Sequence, residues 1–590
     1  MLNKRWVLKE QGDEEIIQHL MSQINVNRQI ANLLAQRGVD SYAKARSFFR
    51  PSLDELHDPF LMKDMDKAVN RVLKAIDNKE KILLYGDYDV DGTTAVATLY
   101  SFLSRYKIPL DYYIPDRYSE GYGISTQGID YAAENGCPLV IAVDCGIKAV
   151  EKIEYAKTKG IEFIICDHHR PAETIPDAVA VLDPKRKDCT YPFDDLSGCG
   201  VGFKLIQALA QKTYVGIEKL KPLLDKVVLS IAADIVPVTG ENRILAHFGL
   251  KVLNTNPSAG IEAILKTAGI KRRPDSIYKT DYSFTKKISI SDLVFIVGPR
   301  VNAAGRIQSG KNSVDLLVCE SADKADTIAA QIDTFNVERK SLDSNATQQA
   351  LETIADSEID KTKLSTVLYN PNWHKGILGI VASRLTEHHY KPTIVFTQSV
   401  DTGLITGSAR SIRGFDIYEA IESCTDLLEH WGGHTYAAGL SLKEDNFEEF
   451  RKRFEDYAQE HMTEDIMTPI IEVDTFLDFN AITKKFYNLL RQFAPFGPGN
   501  MAPIFQTNEI YDNGYSKVVG GKHLKLFVTQ KFYKGFGHPG IAFQMGDFYP
   551  NIEGQKPFDI VYAVEENEWN GNTTIQLNVK DIRINQLTDQ

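Results

Sequence analysis

The chain has 590 residues, 43% of them hydrophobic and 25% charged, with a formal net charge of -12. That length exceeds one ordinary core, so about three domains are expected, and the composition is that of soluble globular protein. No apolar run reaches the ~18 residues of a membrane span, no signal-peptide core opens the chain, and seven scattered cysteines without a CxxC pair argue against a zinc ribbon or a disulfide framework.

A cytoplasmic protein is expected. The acidic balance does not exclude nucleic acid, because a metal site gathers carboxylates and contact with nucleic acid needs only a local basic track.

Residues 1–75 read as helices, from VNRQIANLLAQRG, DSYAKARSFF and DMDKAVNRVLKAIDN. Over 76–311 short β-rich runs (KILLYG, PLVIAV, IEFIIC, AVAVL) alternate with helical segments. Continuous apolar runs of this kind suit parallel strands covered on both faces, which predicts an α/β doubly wound sheet. Residues 312–356 contain no Pro or Gly and read as a long connecting helix. A second, smaller α/β domain follows over 357–465 (STVLYN, ILGIVASRLTEHH, PTIVFT). Short strands over 466–590 (KLFVTQ, GIAFQM, DIVYAV, TTIQLNV) suggest a small β-barrel.

Predicted strands run directly into Asp87, Asp144 and Asp167. The carboxyl ends of parallel strands share one edge, where ligands bind, so these distant aspartates are expected to meet. Asp87, Asp89 and Asp91 in DYDVDG are carboxylates that repel one another unless a cation neutralises them. DxDxDG resembles the start of a calcium loop, but Thr98 stands where that loop needs Glu, and a strand precedes it. His168 and His169 add imidazoles, and mixed ligation suits Mn2+, with Mg2+ at a more oxygen-rich position. By contrast, His388-His389 falls in a helical segment and reads as an exposed face. Asp234 interrupts an apolar run; a buried charge needs a partner, so a metal, a helix cap or a salt bridge is expected there. Cys145 and Cys166 read as buried strand thiols.

In this order DYDVDG, VDCGI, DHH (167–169) and AADIVP resemble the four metal motifs of the DHH phosphoesterases. Further segments are similar to the RecJ branch of that family: Pro115-Asp116-Arg117 with Glu120–Gly123, LSGCGVGFK (196–204), GPRVNAAGRI (298–307), WHKGILGIVASR (373–384), GSARS (407–411), WGGH (431–434) and APFGPGN (494–500). The departures are small. Asp replaces an expected Asn in PDR and LDP, Cys145 and Cys199 occupy variable positions, and WGGH lacks a third Gly. Asp116 adds negative charge near the expected DNA end.

The resemblance implies a single-stranded-DNA-specific 5′→3′ exonuclease of recombination and repair, using two divalent metal ions, Mn2+ or Mg2+. It implies that Asp89, Asp91, Asp144, His168 and Asp234 hold the metals together with Asp87, and that Asp144 bridges them. Asp167 then supports its neighbours and His169 faces the scissile phosphate, so that His169, Asp89, Asp144 and Arg300 carry catalysis. Arg117, Ser408 and Arg410 match a 5′-phosphate pocket, where a guanidinium fork suits a terminal phosphate. Tyr122, Arg300, Asn302 and Arg306 are expected at the substrate, and His434 as a phosphate contact or a structural donor.

From Asn513 to Gly546 there is no Asp or Glu, while Lys517, Lys522, Lys525, Lys531 and Lys534 alternate with Phe527, Phe532, Tyr533 and Phe536. Cations neutralise phosphates and aromatic faces stack on bases, which fits the family's OB-fold. Partners implied are single-stranded DNA with a 5′ end, a single-strand-binding protein and a helicase; the chain is expected to be a monomer without membrane contact. Two other readings are a DHH oligoribonuclease or nucleotide phosphatase, which lacks such a C-terminal domain, and a non-catalytic single-strand-binding scaffold, which loses metal ligands.

Overall fold

The computed structural model describes residues 3–117, 119–274, 281–307, 309–357, 362–399, 402–554, 556–569 and 572–584. Five parallel strands form the sheet of the largest domain, in the order Leu110–Tyr113, Ile82–Gly86, Leu139–Val143, Glu162–Cys166, Ala180–Leu182. Ile82–Gly86 and Leu139–Val143 are wholly buried, as unbroken apolar runs require when both faces are covered. Ile82, Leu84, Ile141 and Ile164 face one core, shared with the helices Val90–Leu103 and Gly198–Lys212. Leu83, Val140 and Ile165 face the other, with Ile129 and Ile153. From Ile82–Gly86 the chain moves outward to one edge, then returns to Leu139–Val143 and proceeds the other way. That reversal opens a crevice at the carboxyl ends of the two central strands.

The connecting helix runs Ala322–Asp356, after a separate short helix Lys311–Leu317. The segment read mainly as a long connecting helix therefore divides before Ser321. Ser321 starts the longer helix, its hydroxyl accepting from Lys324 N, and a capping side chain of this kind ends helix on its N-terminal side. The second domain has a mixed sheet in the order Leu428–His434, Ala437–Leu442, Ile405–Arg410, Thr393–Gln398, Thr366–Tyr369, with only the last pair parallel. In the C-terminal domain Phe505–Asp512 pairs with both Phe558–Trp569 and His523–Gln530, so the sheet returns on itself. Among the described residues no helix is long and apolar enough to cross a membrane.

The N-terminal segment differs from its reading as helix alone. Arg5–Leu8 is a strand that pairs in parallel with Ile470–Val473. The helices Glu14–Ile24 and Arg28–Ala35 bury Ile17, Leu20, Ile30 and Leu33 in one core with Phe479, Phe493 and Phe505. A four-residue strand carries no local signal when its partner lies at the far end of the chain.

This terminal unit is fastened to the catalytic domain by Arg243, which is 6% exposed. Its guanidinium donates to the carbonyls of Phe48, Gln492, Phe493, Ala494 and Pro495 at 2.7–3.4 Å, and burial lowers its pKa to about 10. Val238 N donates to Pro498 O at 2.7 Å alongside. Removing the guanidinium leaves buried carbonyls unpaired, so Arg243→Leu is expected to lower unfolding free energy by about 3 kcal/mol. A urea-unfolding midpoint equal to wild type would contradict that assignment.

Candidate metal centre

The aspartates of the strand ends meet at the crevice. Asp144 follows Leu139–Val143 with a left-handed backbone (φ 59°). Gly198, at the start of the helix Gly198–Lys212, lies so close that a Cβ there would stand 2.5 Å from the Asp144 Cβ. A side chain at that position would push this helix away from the site. The amides of Gly198 and Cys199 donate to Asp91 at 2.7 and 2.8 Å, and the Ser230 hydroxyl adds a third bond at 2.7 Å. A helix N-terminus thus aims Asp91 at the crevice. Asp89 caps the helix Val90–Leu103 by accepting from Gly92 N.

His168 Nε2 lies 3.1 Å from Asp144 Oδ1, 3.6 Å from Asp234 Oδ2 and 3.8 Å from Asp91 Oδ2. Among the described residues neither ring nitrogen of His168, nor Asp87 Oδ1, has a hydrogen-bond partner, although all three atoms are buried. Candidate ligand atoms fall into three overlapping groups, Asp87 with Asp89 and Asp144, Asp91 with His168 and Asp234, and Asp144 with His168 and His169. Asp234 ends the helix Leu224–Ala233, where the dipole is unfavourable to an anion.

Burial and the neighbouring carboxylates Asp91, Asp89, Asp87 and Asp234 push Asp144 well above the carboxylate range. Burial and Asp89 do the same to Asp87, and burial with Asp91 and Asp89 raises Asp234 to about 8. Orphaned buried donor atoms ringed by mutually repelling carboxylates fit divalent cations with mixed oxygen and nitrogen ligation.

Asp167 is different, because both of its oxygens are already engaged. Oδ2 accepts from Ile147 N at 2.9 Å, while Oδ1 accepts from His168 N at 2.8 Å and lies 2.7 Å from His169 Nδ1. Burial opposes its ionisation, yet the His169 bond and these amides hold the carboxyl at about 2. The pairing orients the His169 ring. Tyr122 OH donates to Asp144 O at 3.0 Å and lies 3.2 Å from His169. Arg117 stacks on the Tyr88 ring at 4.1 Å, beside the first motif.

The remaining candidates are spread over three elements. Ser408 and Arg410 sit together in the second domain, 3.2 Å apart, against the first turn of the helix Leu378–His389. A Cβ on Gly379 would meet the Arg410 guanidinium at 2.7 Å and the Ser408 hydroxyl at 3.0 Å. Among the described residues no carboxylate pairs with Arg410, and burial lowers its pKa. Arg300, Asn302 and Arg306 share the helix Gly298–Ile307. Arg300 donates to Asp333 and Ile296 O, and Arg306 to Gly376 O. His434 ends the edge strand Leu428–His434 and is exposed.

The five lysines 517, 522, 525, 531 and 534 are all exposed. Lys517 and Lys525 are cross-strand partners, a like-charge placement that disfavours the free sheet and suits an anion. Tyr533 packs inward against Phe479 and His538 rather than outward.

Three other residues were not singled out by sequence reasoning. Glu120 accepts from Tyr113, Ser125 and Asp116 N and so holds the loop that carries Arg117 and Tyr122. Lys185 Nζ donates to His168 O at 2.6 Å. Tyr515, 65% exposed, meets Phe536 at 5.8 Å and Phe527 at 6.1 Å. Glu120 was read only as part of the Glu120–Gly123 segment, Tyr515 had a signal as an aromatic at the start of the acid-free stretch, and Lys185 had none.

Family models match three parts of the chain: the DHH family N-terminal domain over residues 81–233, the DHHA1 domain over 360–460, and the RecJ OB domain over 473–581. The single-stranded-DNA-specific exonuclease RecJ of Bacillus subtilis is 34% identical over 99% of this chain and 71% of that protein. The chain belongs to the RecJ family. The Escherichia coli RecJ is 32% identical over 88% of this chain and 90% of that protein. A crystal structure of RecJ in complex with Mn2+ from Thermus thermophilus matches with a TM-score of 0.82 at 24% identity, over 99% of this chain and 80% of that one. At that identity the likeness carries the fold: a parallel-sheet DHH domain, a connecting helix, a smaller α/β domain and an OB domain.

The raised carboxyls of this RecJ relative define a pH test. Below the unfolded carboxyl pKa of ~3.9 their protonation stabilises the metal-free fold fully, and that stability is lost as pH rises, for Asp234 through about 8. The metal-free melting temperature is expected to fall between about pH 6 and 8, and saturating Mn2+ to raise it more at the higher pH. An equal metal-induced shift at both values would contradict this.

Proposed function

We propose that this chain is a single-stranded-DNA-specific 5′→3′ exonuclease that hydrolyses phosphodiester bonds with two divalent cations, Mn2+ or Mg2+. The observation that carries the reading is the ring of Asp87, Asp89, Asp91, Asp144, His168 and Asp234 at the switch of strand order, with buried donor atoms left unpaired. In this reading those six residues hold the cations, with Asp144 common to two of the ligand groups. When bound there, two cations would lower the pKa of a water and neutralise charge on the phosphoryl oxygens.

The chain's own groups do the rest. Asp167 fixes His169 through Nδ1, so the other face of the ring is offered to the phosphate as a donor. Tyr122 limits the movement of that ring, and Arg300 joins Asp89, Asp144 and His169 in the catalytic group. Arg117 from one domain and Ser408 with Arg410 from another receive the 5′-phosphate; Arg410, at a helix start and with no carboxylate partner among the described residues, supports this. Asn302 and Arg306 contact the adjoining backbone, and His434 lies at the same substrate edge. On the C-terminal domain Lys517, Lys522, Lys525, Lys531 and Lys534 track phosphates beside the exposed rings of Phe532 and Phe536. We place the enzyme in cytoplasmic DNA recombination and repair, as a monomer working with a single-strand-binding protein and a helicase.

The test is incubation of single strands carrying a 5′-phosphate with Mn2+ or Mg2+. Mononucleotides are expected to appear progressively from the 5′ end, with duplex of the same sequence resistant. Activity confined to dinucleotides would favour the oligoribonuclease reading, and no cleavage would favour the scaffold.

A further inference from the structure

The connecting helix Ala322–Asp356 presents a buried stripe of Ala325, Ala329, Ile332, Asn336, Arg339, Asp343, Ala346, Ala350 and Ile354. Small and apolar residues occupy its two ends, as packing against a domain requires. At its centre three successive inward positions are instead polar. Asn336 is 1% exposed, Arg339 has a side chain 9% exposed and Asp343 one that is fully buried. This is where the helix passes from the helix Gly298–Ile307 of the catalytic domain to Leu378–His389 of the second.

The polar groups there do not satisfy one another. Arg339 donates to Asn336 Oδ1 at 3.1 Å and lies 3.6 Å from Asp343 Oδ2, whose stronger partner is Arg384 at 2.8 Å. Two buried donors, Asn336 Nδ2 and Arg339 Nε, have no hydrogen-bond partner among the described residues. Among the described residues, the guanidiniums of Arg300, Arg339 and Arg384 gather around the carboxylates of Asp333 and Asp343, three cations to two anions. Unpaired donors and surplus cations in a low-dielectric setting are unfavourable unless an anion joins them. Arg384, with its side chain 45% exposed, brings the edge of the cluster to the surface, while the Asn336 and Arg339 donors lie beneath it. Arg306 reaches Gly376 O, in the turn that leads into the helix lying against Ser408 and Arg410.

We propose that Asn336, Arg339 and Arg384 form a binding site for a phosphodiester phosphate of the single strand, between the catalytic domain and the second domain. The site rests on the exonuclease reading and adds a contact to it: the connecting helix grips the strand as well as joining the domains. Asn336 and Arg339 supply fixed donors, and Arg384 closes over the phosphate from the opposite helix while Asp343 holds both arginines in place.

The test uses the full chain with EDTA, so that no strand is cut, and a 5′-phosphorylated, fluorescently labelled oligothymidylate titrated at several KCl concentrations. Arg339→Gln and Arg384→Gln are each expected to weaken binding and to reduce the slope of log Kd against log salt by about 0.7, the loss of one phosphate contact. Arg339→Lys, which keeps the charge, is expected to retain the wild-type slope. Melting curves accompany each variant, and Arg384→Gln, altering a half-exposed side chain, keeps the test valid if the Arg339 variant unfolds. Wild-type slopes in folded Arg339→Gln and Arg384→Gln proteins would overturn the site and leave the exonuclease reading standing. A wild-type chain that binds no single strand would overturn both.

Discussion

Repulsion between buried carboxylates is the constraint around which this molecule is organised. Asp87, Asp89, Asp91, Asp144 and Asp234 converge on one crevice, and burial together with neighbouring charge raises the pKa of Asp87, Asp89, Asp144 and Asp234. Such a cluster is stable near neutral pH only with protons or with cations. The fold does little to relieve it internally. Asp91 receives amides from a helix start, and both Asp167 oxygens accept hydrogen bonds, but Asp87 Oδ1 and both ring nitrogens of His168 are left unpaired among the described residues.

The sheet topology explains why these groups meet at all. Two central strands whose connections diverge leave their carboxyl ends uncovered, and the first and second acidic motifs sit on those ends. The same geometry separates the two members of the His pair. His168 faces three carboxylates, whereas His169 is turned by Asp167 toward Tyr122 and the opening. Arg243 and Val238 then tie the C-terminal domain to the segment just after Asp234 through backbone carbonyls.

Much of the centre was legible in the sequence because its signals are local: an apolar run ending in Asp, then acidic or imidazole neighbours. Asp87, Asp144 and Asp167 stood out for that reason, and the parallel sheet that unites them followed from the same runs. What was not legible depends on partners far along the chain. The pairing of Arg5–Leu8 with Ile470–Val473 leaves no mark on four residues, and the packing of the N-terminal helices beside Phe493 looks from sequence like any amphipathic helix. The division of the connecting segment at Ser321 was hidden because absence of Gly and Pro does not reveal a capping serine. Asn336, Arg339 and Asp343 carry a signal only once the buried stripe of their helix is known.

The central claim is that this ring holds a pair of cations with Asp144 between them. Electron paramagnetic resonance during titration of the metal-free protein with Mn2+ tests it most directly. The account predicts a magnetically coupled Mn2+ pair at saturation in the wild type, and loss of that coupling in Asp144→Asn. A spectrum of isolated, uncoupled Mn2+ at saturation in the wild type would contradict it.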